Sequence, residues 1–272
     1  MTSGAALSGA GRSLAGRFLH LAWKGLPSLT GIAAVIGLWQ LAVTWMSVPD
    51  YLLPSPVHVL EVFTDSPGFL LTHAGVTATE IVVGLGIAVA GALVWAVLLV
   101  AFDPVRRAVF PLMVAAQSAP KEAMAPIFII WWGFTSLPKI VMAALVSFFP
   151  VLIATVVGLE RFTRQHRLLA MSMGAGPVRT FFSLRLWTAL PSFLSGVRLG
   201  VTLAVIGAVL GEYLGSDEGL GYLILGSSRR LNGPLLYASL IALMAMSWTL
   251  VALVNLLEKI LLRGTRGGRF LG

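Results

Sequence analysis

Apolar residues in this chain gather into long runs; they do not alternate with polar ones at the period of a surface helix or strand. Six runs stand out: Leu29–Val48, Val76–Phe102, Val109–Phe134, Ile140–Leu159, Ser192–Leu214 and Leu235–Leu261. About 20 mainly apolar residues in a helix cross the roughly 30 Å hydrocarbon core of a bilayer. Each run therefore predicts a membrane-spanning helix, and together they predict an all-α polytopic membrane protein. The third run is the least regular, because Pro120 and Pro126 interrupt it with Lys121 and Glu122 between them. The first is longer than a signal-peptide core and has no clean small-residue cleavage site after it, so it reads as a retained span.

Composition supports this reading. Of 272 residues, 57% are hydrophobic and 11% charged, against about a quarter charged in a soluble domain. Such a chain lacks the polar surface to coat a globule of its size. It has no cysteine, which excludes disulfides and thiolate metal sites. His20, His58, His73 and His166 show no metal-ligand spacing. A net charge of +8 would suit nucleic acid in a soluble protein. In a chain this apolar, lipid headgroups and the cytosolic face are the expected partners, and no nucleic acid is expected. With the N-terminus inside, most basic residues fall in the inner segments: Arg12, Arg17 and Lys24, Arg106 and Arg107, Arg161 to Arg185, and Lys259 to Arg269. The outer loops hold Asp50, Glu61, Asp65, Asp217 and Glu218, offset by Lys139, Arg229 and Arg230. Six spans with both termini inside satisfy the positive-inside rule. Residues 1–28 then form a cytoplasmic segment, 29–262 the transmembrane domain and 263–272 a basic cytoplasmic tail suited to anionic headgroups. No second domain and no repeat of 20–50 residues is detectable.

The inner loop Glu160–Leu190 is the most informative stretch, too polar to span and too apolar for a disordered linker. A helical pattern through Met173 is broken by Gly174-Ala175-Gly176. Pro177 then suits the first turn of a new helix, where its missing N–H has no partner to lose. Phe181, Phe182, Leu184 and Leu186 interleave with Arg179, Ser183 and Arg185, which makes Val178–Trp187 a short amphipathic helix. Two readings fit: a helix lying on the membrane surface, or a docking element for a soluble partner.

The loop resembles the signature of binding-protein-dependent importer permeases: Glu-Ala-Ala, a glycine three residues on, and Leu-Pro after a spacer. Here it reads Leu169-Ala170-Met171-Ser172-Met173-Gly174-Ala175, then Ala189-Leu190-Pro191. The resemblance extends over most of the chain and is nearest the nitrate/sulfonate/taurine branch. It includes Leu53-Pro54-Ser55-Pro56-Val57, Pro120 to Pro126, Trp132-Gly133-Phe134, Phe148-Phe149-Pro150, Gly196-Val197-Arg198, and Gly211-Glu212 through Gly219-Leu220-Gly221-Tyr222. One departure is Leu169, where the family carries glutamate; it removes any polar contact from that position.

The resemblance implies a type I ABC importer permease fold with a cytoplasmic coupling helix between spans four and five. It implies a second permease copy, making a homodimer in the plasma membrane, and cytosolic ABC ATPase subunits that grip the loop. It also implies an extracytoplasmic solute-binding protein that delivers substrate. The coupling residues would be Ala170, Gly174, Ala175, Gly176, Phe181, Phe182, Leu190 and Pro191. ATP and magnesium would belong to the ATPase, with no cofactor on this chain. The sequence agrees, since it contains no Gly-x-x-x-x-Gly-Lys-Ser/Thr loop and no nucleophile–base or paired-carboxylate constellation of an enzyme.

Charges inside spans cost about 2.5–3.5 kcal/mol each on insertion scales, so each calls for a reason. Glu212 follows Gly207 and Gly211 and precedes Gly215, at small-xxx-small spacing. This reads either as tight helix packing with Glu212 reaching interfacial water, or as a pathway face with Glu212 at its external gate. Lys121 and Glu122, between Pro120 and Pro126, read as a neighbouring ion pair at a helix break; the freed backbone there must face protein or water. Arg198 is expected to snorkel to the cytosol, and Glu80 carries no assigned role. Most tryptophans fall near span ends, where belt anchoring accounts for them. The implied substrate is a small anion such as nitrate, taurine or a sulfonate, with a pyrimidine or flavin-type vitamin precursor as the alternative. An ATP-independent channel would need a continuous polar stripe through several spans, and an intramembrane enzyme would need catalytic groups within them.

Overall fold

The computed structural model describes residues 30–263, so the segment 1–28 and nearly all of the basic tail lie outside the described residues. The described chain is helical. In chain order it comprises α1 (Thr30–Met46), α2 (Pro56–Asp65), α3 (Pro67–Ala101), α4 (Asp103–Ala116), α5 (Ala125–Trp132), α6 (Leu137–Glu160), α7 (Arg164–Ser172), α8 (Pro177–Gly215), α9 (Leu220–Arg229) and α10 (Gly233–Arg263). Four of these, α3, α6, α8 and α10, are long and apolar enough to cross a membrane; α1 is apolar but shorter.

Two of the predicted elements are corrected. The third predicted span, Val109–Phe134, is not one helix. It divides into α4, a 3₁₀ turn over Lys121–Met124 and α5. Pro120 precedes that turn and Pro126 sits in the first turn of α5, so the ladder stops between them for want of N–H donors. With 14 and 8 residues, the two pieces measure only about 21 and 12 Å. The second correction concerns the amphipathic segment Val178–Trp187, which is not a separate helix. It begins α8, which passes through a π turn at Phe181–Arg185 and through Pro191 without stopping before Gly215.

The centre of the bundle is the antiparallel pair α6–α8, and glycine sets its closeness. A methyl group at Gly196 would stand 2.5 Å from Ala154 Cβ, and one at Gly207 would stand 2.7 Å from the Met142 carbonyl. At Gly211 it would meet Lys139 Cα at 2.8 Å, and from the opposite side one at Gly158 would meet the Ala189 carbonyl at 2.8 Å. Two helices in lipid gain little from burying apolar surface against each other, so close backbone approach and dispersion must hold them. On α3, Thr77, Ile81, Gly84, Ala88, Ala92, Ala96 and Leu99 are buried at three- and four-residue steps, a narrow face of mostly small residues laid against the pair. By contrast α1 and α10 expose apolar residues such as Val35, Trp45, Met244 and Trp248 outward, as lipid-facing helices do.

Ion pairs tie helix ends together. Arg106 of α4 meets Glu160 of α6 at 2.6 Å. Arg185 Nε donates to the Leu159 carbonyl at 3.0 Å, satisfying one of the free acceptors at the end of α6. Arg198 pairs with Glu258 of α10, so it binds a neighbouring helix and is not a free snorkelling cation.

Gly207→Ala places a methyl against backbone that cannot yield, and overpacking of this kind costs about 1–3 kcal/mol. The thermal unfolding midpoint in detergent should fall for Gly207→Ala and stay unchanged for Gly86→Ala, where nothing lies within 4 Å of the added carbon. Equal midpoints would mean that the α6–α8 contact is not glycine-limited.

Candidate functional sites

At one end of the bundle, α3, α6, α8 and the start of α9 enclose a charged cluster. His73, Thr77 and Glu80 occupy one face of α3, at four- and three-residue steps. Thr77 Oγ1 donates to Glu212 Oε1 at 2.6 Å and accepts the Leu220 N–H at 2.8 Å. Gly221 N–H donates to Glu212 Oε2, and Gly219 N–H donates to His73 Nδ1 at 2.9 Å. The Glu212 carboxylate therefore sits at the N-terminus of α9, where free N–H groups and the helix dipole favour an anion. The same geometry accounts for Gly219-Leu220-Gly221. A Cβ at Gly219 would lie 2.2 Å from Glu212 Oε1, one at Gly221 would lie 2.6 Å from Oε2, and Gly219 holds φ +111°. No larger residue fits beside the carboxylate.

Lys139 closes the cluster. Its ammonium donates to Ser216 Oγ at 2.7 Å and lies 3.4 Å from Glu80 Oε1. Glu80, Lys139 and Glu212 are 2%, 5% and 1% exposed. The Glu80 carboxyl faces the Glu212 carboxyl on one side and the Lys139 ammonium on the other, and Lys139 is its only cationic partner among the described residues. Breaking a buried pair by removing one partner leaves an uncompensated charge, worth about 3–5 kcal/mol.

Sequence reasoning singled out Glu212, read either as part of a tightly packed helix reaching interfacial water or as a pathway residue; the tight packing is present, and Glu212 is buried and hydrogen-bonded within the subunit in place of reaching interfacial water. It left Glu80 without a role, counted Lys139 with the loops and weighed His73 only as a metal ligand. The available signal was the shared face of residues 73, 77 and 80. Gly207 and Gly211 turn toward α6, where they permit the close contact described above. At the other candidate segment, Lys121 Nζ lies 4.8 Å over the Phe149 ring, a cation–π contact. Among the described residues no ion pair joins it to Glu122. Pro120 and Pro126 flank the break.

The loop between α6 and α8 lies at the opposite end. Thr163 caps α7 in a reciprocal box with His166. At its C-terminus, Ala175 N–H donates to the Ala170 carbonyl at 3.0 Å and Gly174 N–H to Met171 at 2.9 Å, a Schellman motif. Gly174 holds φ +74° there, a conformation that costs a side-chain-bearing residue about 1–2 kcal/mol. Gly176 is the extended N-cap of α8 and Pro177 its first residue. Ala170 is buried, whereas Leu169, Met173, Val178 and Phe182 are each more than 60% exposed. Phe181 is half-buried beside Phe182, and Leu190 and Pro191 lie within α8. The apolar Leu169 thus occupies a surface position.

Long apolar helices, a glycine-packed centre, a broken short-helix pair and an exposed loop with apolar knobs define a polytopic α-helical membrane protein. The chain belongs to the binding-protein-dependent transport system inner membrane component family, whose model matches residues 81–267. It is therefore the permease of an ABC importer, a family that works with ABC ATPases and solute-binding proteins. It is 37% identical over 226 residues to the formylaminopyrimidine transport permease protein ThiX of Halalkalibacterium halodurans, covering 83% of this chain and 90% of the relative. It is 33% identical over 243 residues to the riboflavin transport system permease protein RibX of Chloroflexus aurantiacus, covering 89% and 91%. Identity to the putative aliphatic sulfonates transport permease protein SsuC of Bacillus subtilis is 27% over 233 residues, covering 85% and 84%.

Lys139→Met should lower the thermal midpoint by the equivalent of about 3–5 kcal/mol, since it strands the Glu80 charge. Adding Glu80→Gln should restore most of that loss. Additive losses in the double variant would show that the two side chains are not coupled.

Proposed function

We propose that this chain forms, with a second copy of itself, the pathway for a small heterocyclic vitamin precursor of pyrimidine or flavin type. A solute-binding protein delivers the substrate on the outer side. Cytosolic ATPase subunits, which carry the ATP and magnesium, drive the cycle through the α7–α8 loop. The observation that carries the substrate class is the identity of 37% and 33% to permeases named for formylaminopyrimidine and riboflavin, against 27% to one named for sulfonates. This favours the heterocycle over the small anion.

A cleft of about 550 Å³ between α4, α6 and α8 is in keeping with that class. Gln117, Pro150, Pro191, Ser192 and Ser195 line it, with Arg161 as its one charged group. The amide of Gln117 and the hydroxyls of Ser192 and Ser195 give this wall neutral acceptors and donors suited to a heterocycle's ring nitrogens and carbonyls. The basic residues around the α7–α8 loop support placing it, and both chain termini, in the cytosol. Its exposed knobs Leu169, Met173, Val178 and Phe182 supply apolar contact to a soluble partner, and the Schellman turn at Gly174 sets the angle at which α8 leaves the loop.

ATP-dependent uptake into proteoliposomes holding this chain, its partner ATPase and its solute-binding protein tests the reading. Uptake of a labelled pyrimidine precursor should need ATP and resist excess taurine. Gly174→Val should insert at normal levels, lose ATPase co-purification and reduce uptake at least tenfold. Uptake that runs without ATP, or is displaced by taurine but not by pyrimidines, would contradict it.

A further inference from the structure

We propose that a pocket behind the α7–α8 loop binds the phosphate headgroup of an anionic phospholipid and straps the loop to the membrane surface. The cavity has a volume of about 650 Å³. Arg164 and Arg167 of α7 and Arg185 of α8 line it, with Val100 and Ala101 at the end of α3 and Phe181 of α8. No carboxylate contributes to its wall. The nearest acid, Glu160, pairs with Arg106 at 2.6 Å and also acts on Arg185. Arg185 is steadied by its Nε bond to the Leu159 carbonyl, which leaves its terminal nitrogens for another acceptor. Three arginines lining one half-open cavity repel one another, and an anion standing between them relieves that repulsion. Guanidinium forks match phosphate oxygens in bidentate geometry.

Two features favour a lipid over a free anion or a protein carboxylate. Part of the apolar wall, Val100 and Ala101, comes from the last turn of α3, a membrane-length helix, so a ligand with acyl chains can enter along it. The exposed knobs Leu169, Met173, Val178 and Phe182, which suit a soluble partner, do not line this cavity. The loop therefore presents one surface outward and another toward the bilayer, where anionic lipids concentrate near basic segments. A lipid held there limits how far the loop can move away from α3.

The full-length chain in detergent is titrated with phosphatidylglycerol and phosphatidylcholine, and bound lipid is counted by native mass spectrometry. Wild type should retain phosphatidylglycerol in preference to phosphatidylcholine. Arg164→Gln/Arg167→Gln should bind it at least about tenfold more weakly, as expected when charge-assisted hydrogen bonds are lost. Arg229→Gln/Arg230→Gln, which removes the same charge elsewhere, should bind normally. Arg167→Glu at its exposed position is a second variant that should lose binding while keeping the wild-type thermal midpoint. Equal weakening in both arginine pairs would reduce the effect to diffuse charge and overturn the proposal. Displacement of the lipid by inorganic phosphate would make this a free-anion site instead. Unchanged lipid binding with lost ATPase co-purification would assign the arginines to the partner protein.

Discussion

The backbones of α6 and α8 approach so closely that a single methyl group will not fit between them at Gly196, Gly207 or Gly211, and the rest of the architecture follows from that approach. In lipid the pair gains nothing from expelling water, so contact distance is what holds it. Antiparallel packing at this distance sets Lys139 directly against Gly211, one residue from Glu212. The ammonium is thereby carried into the interior, where Ser216 and Glu80 receive it. A side chain at position 211 would force that residue back, and Glu80 would lose its counter-charge.

The same helix that makes this contact reaches both candidate sites. α8 starts at the Schellman turn of the predicted coupling loop and finishes beside the carboxylate that caps α9. Arg185 fastens its first turns to the end of α6, and Arg198 fastens its middle to α10. In the proposed coupling role, these bonds link the loop to the α6–α8 body, and Glu212 and Thr77 link that body to α3 and α9. Glycine closeness, the buried charges and the loop geometry are three aspects of one helix.

Much of the membrane architecture was legible because a long apolar run has few alternatives to a spanning helix. α3, α6, α8 and α10 were found for that reason. The run through Val109–Phe134 was apolar enough to pass, and only the ladder-breaking Pro120 and Pro126 separated it into short pieces. The continuity of α8 through Pro191 was hidden for the converse reason: proline signals a boundary in sequence, while packing against α6 carries the helix across it. Gly174 and Pro177 were readable because each imposes a local backbone demand. The buried cluster was not, since Thr77 and Glu212 lie 135 residues apart and nothing local in either segment shows that they meet. The loop position of Lys139, just after Pro138, made it look like a surface cation.

The most direct test of this account is a distance measured along α8 in the working transporter. The chain has no native cysteine, and Ser183 and Leu214 are both exposed, so spin labels there, on a labelled copy diluted with unlabelled chain, report on one α8. A helix separates positions 31 residues apart by about 46 Å. Pulsed electron resonance should give one narrow distance distribution in the resting complex, and the same one with ATP bound to the partner ATPase. A second, shorter distribution appearing with nucleotide would show that α8 bends during the cycle and would contradict its role as a single transmitting element.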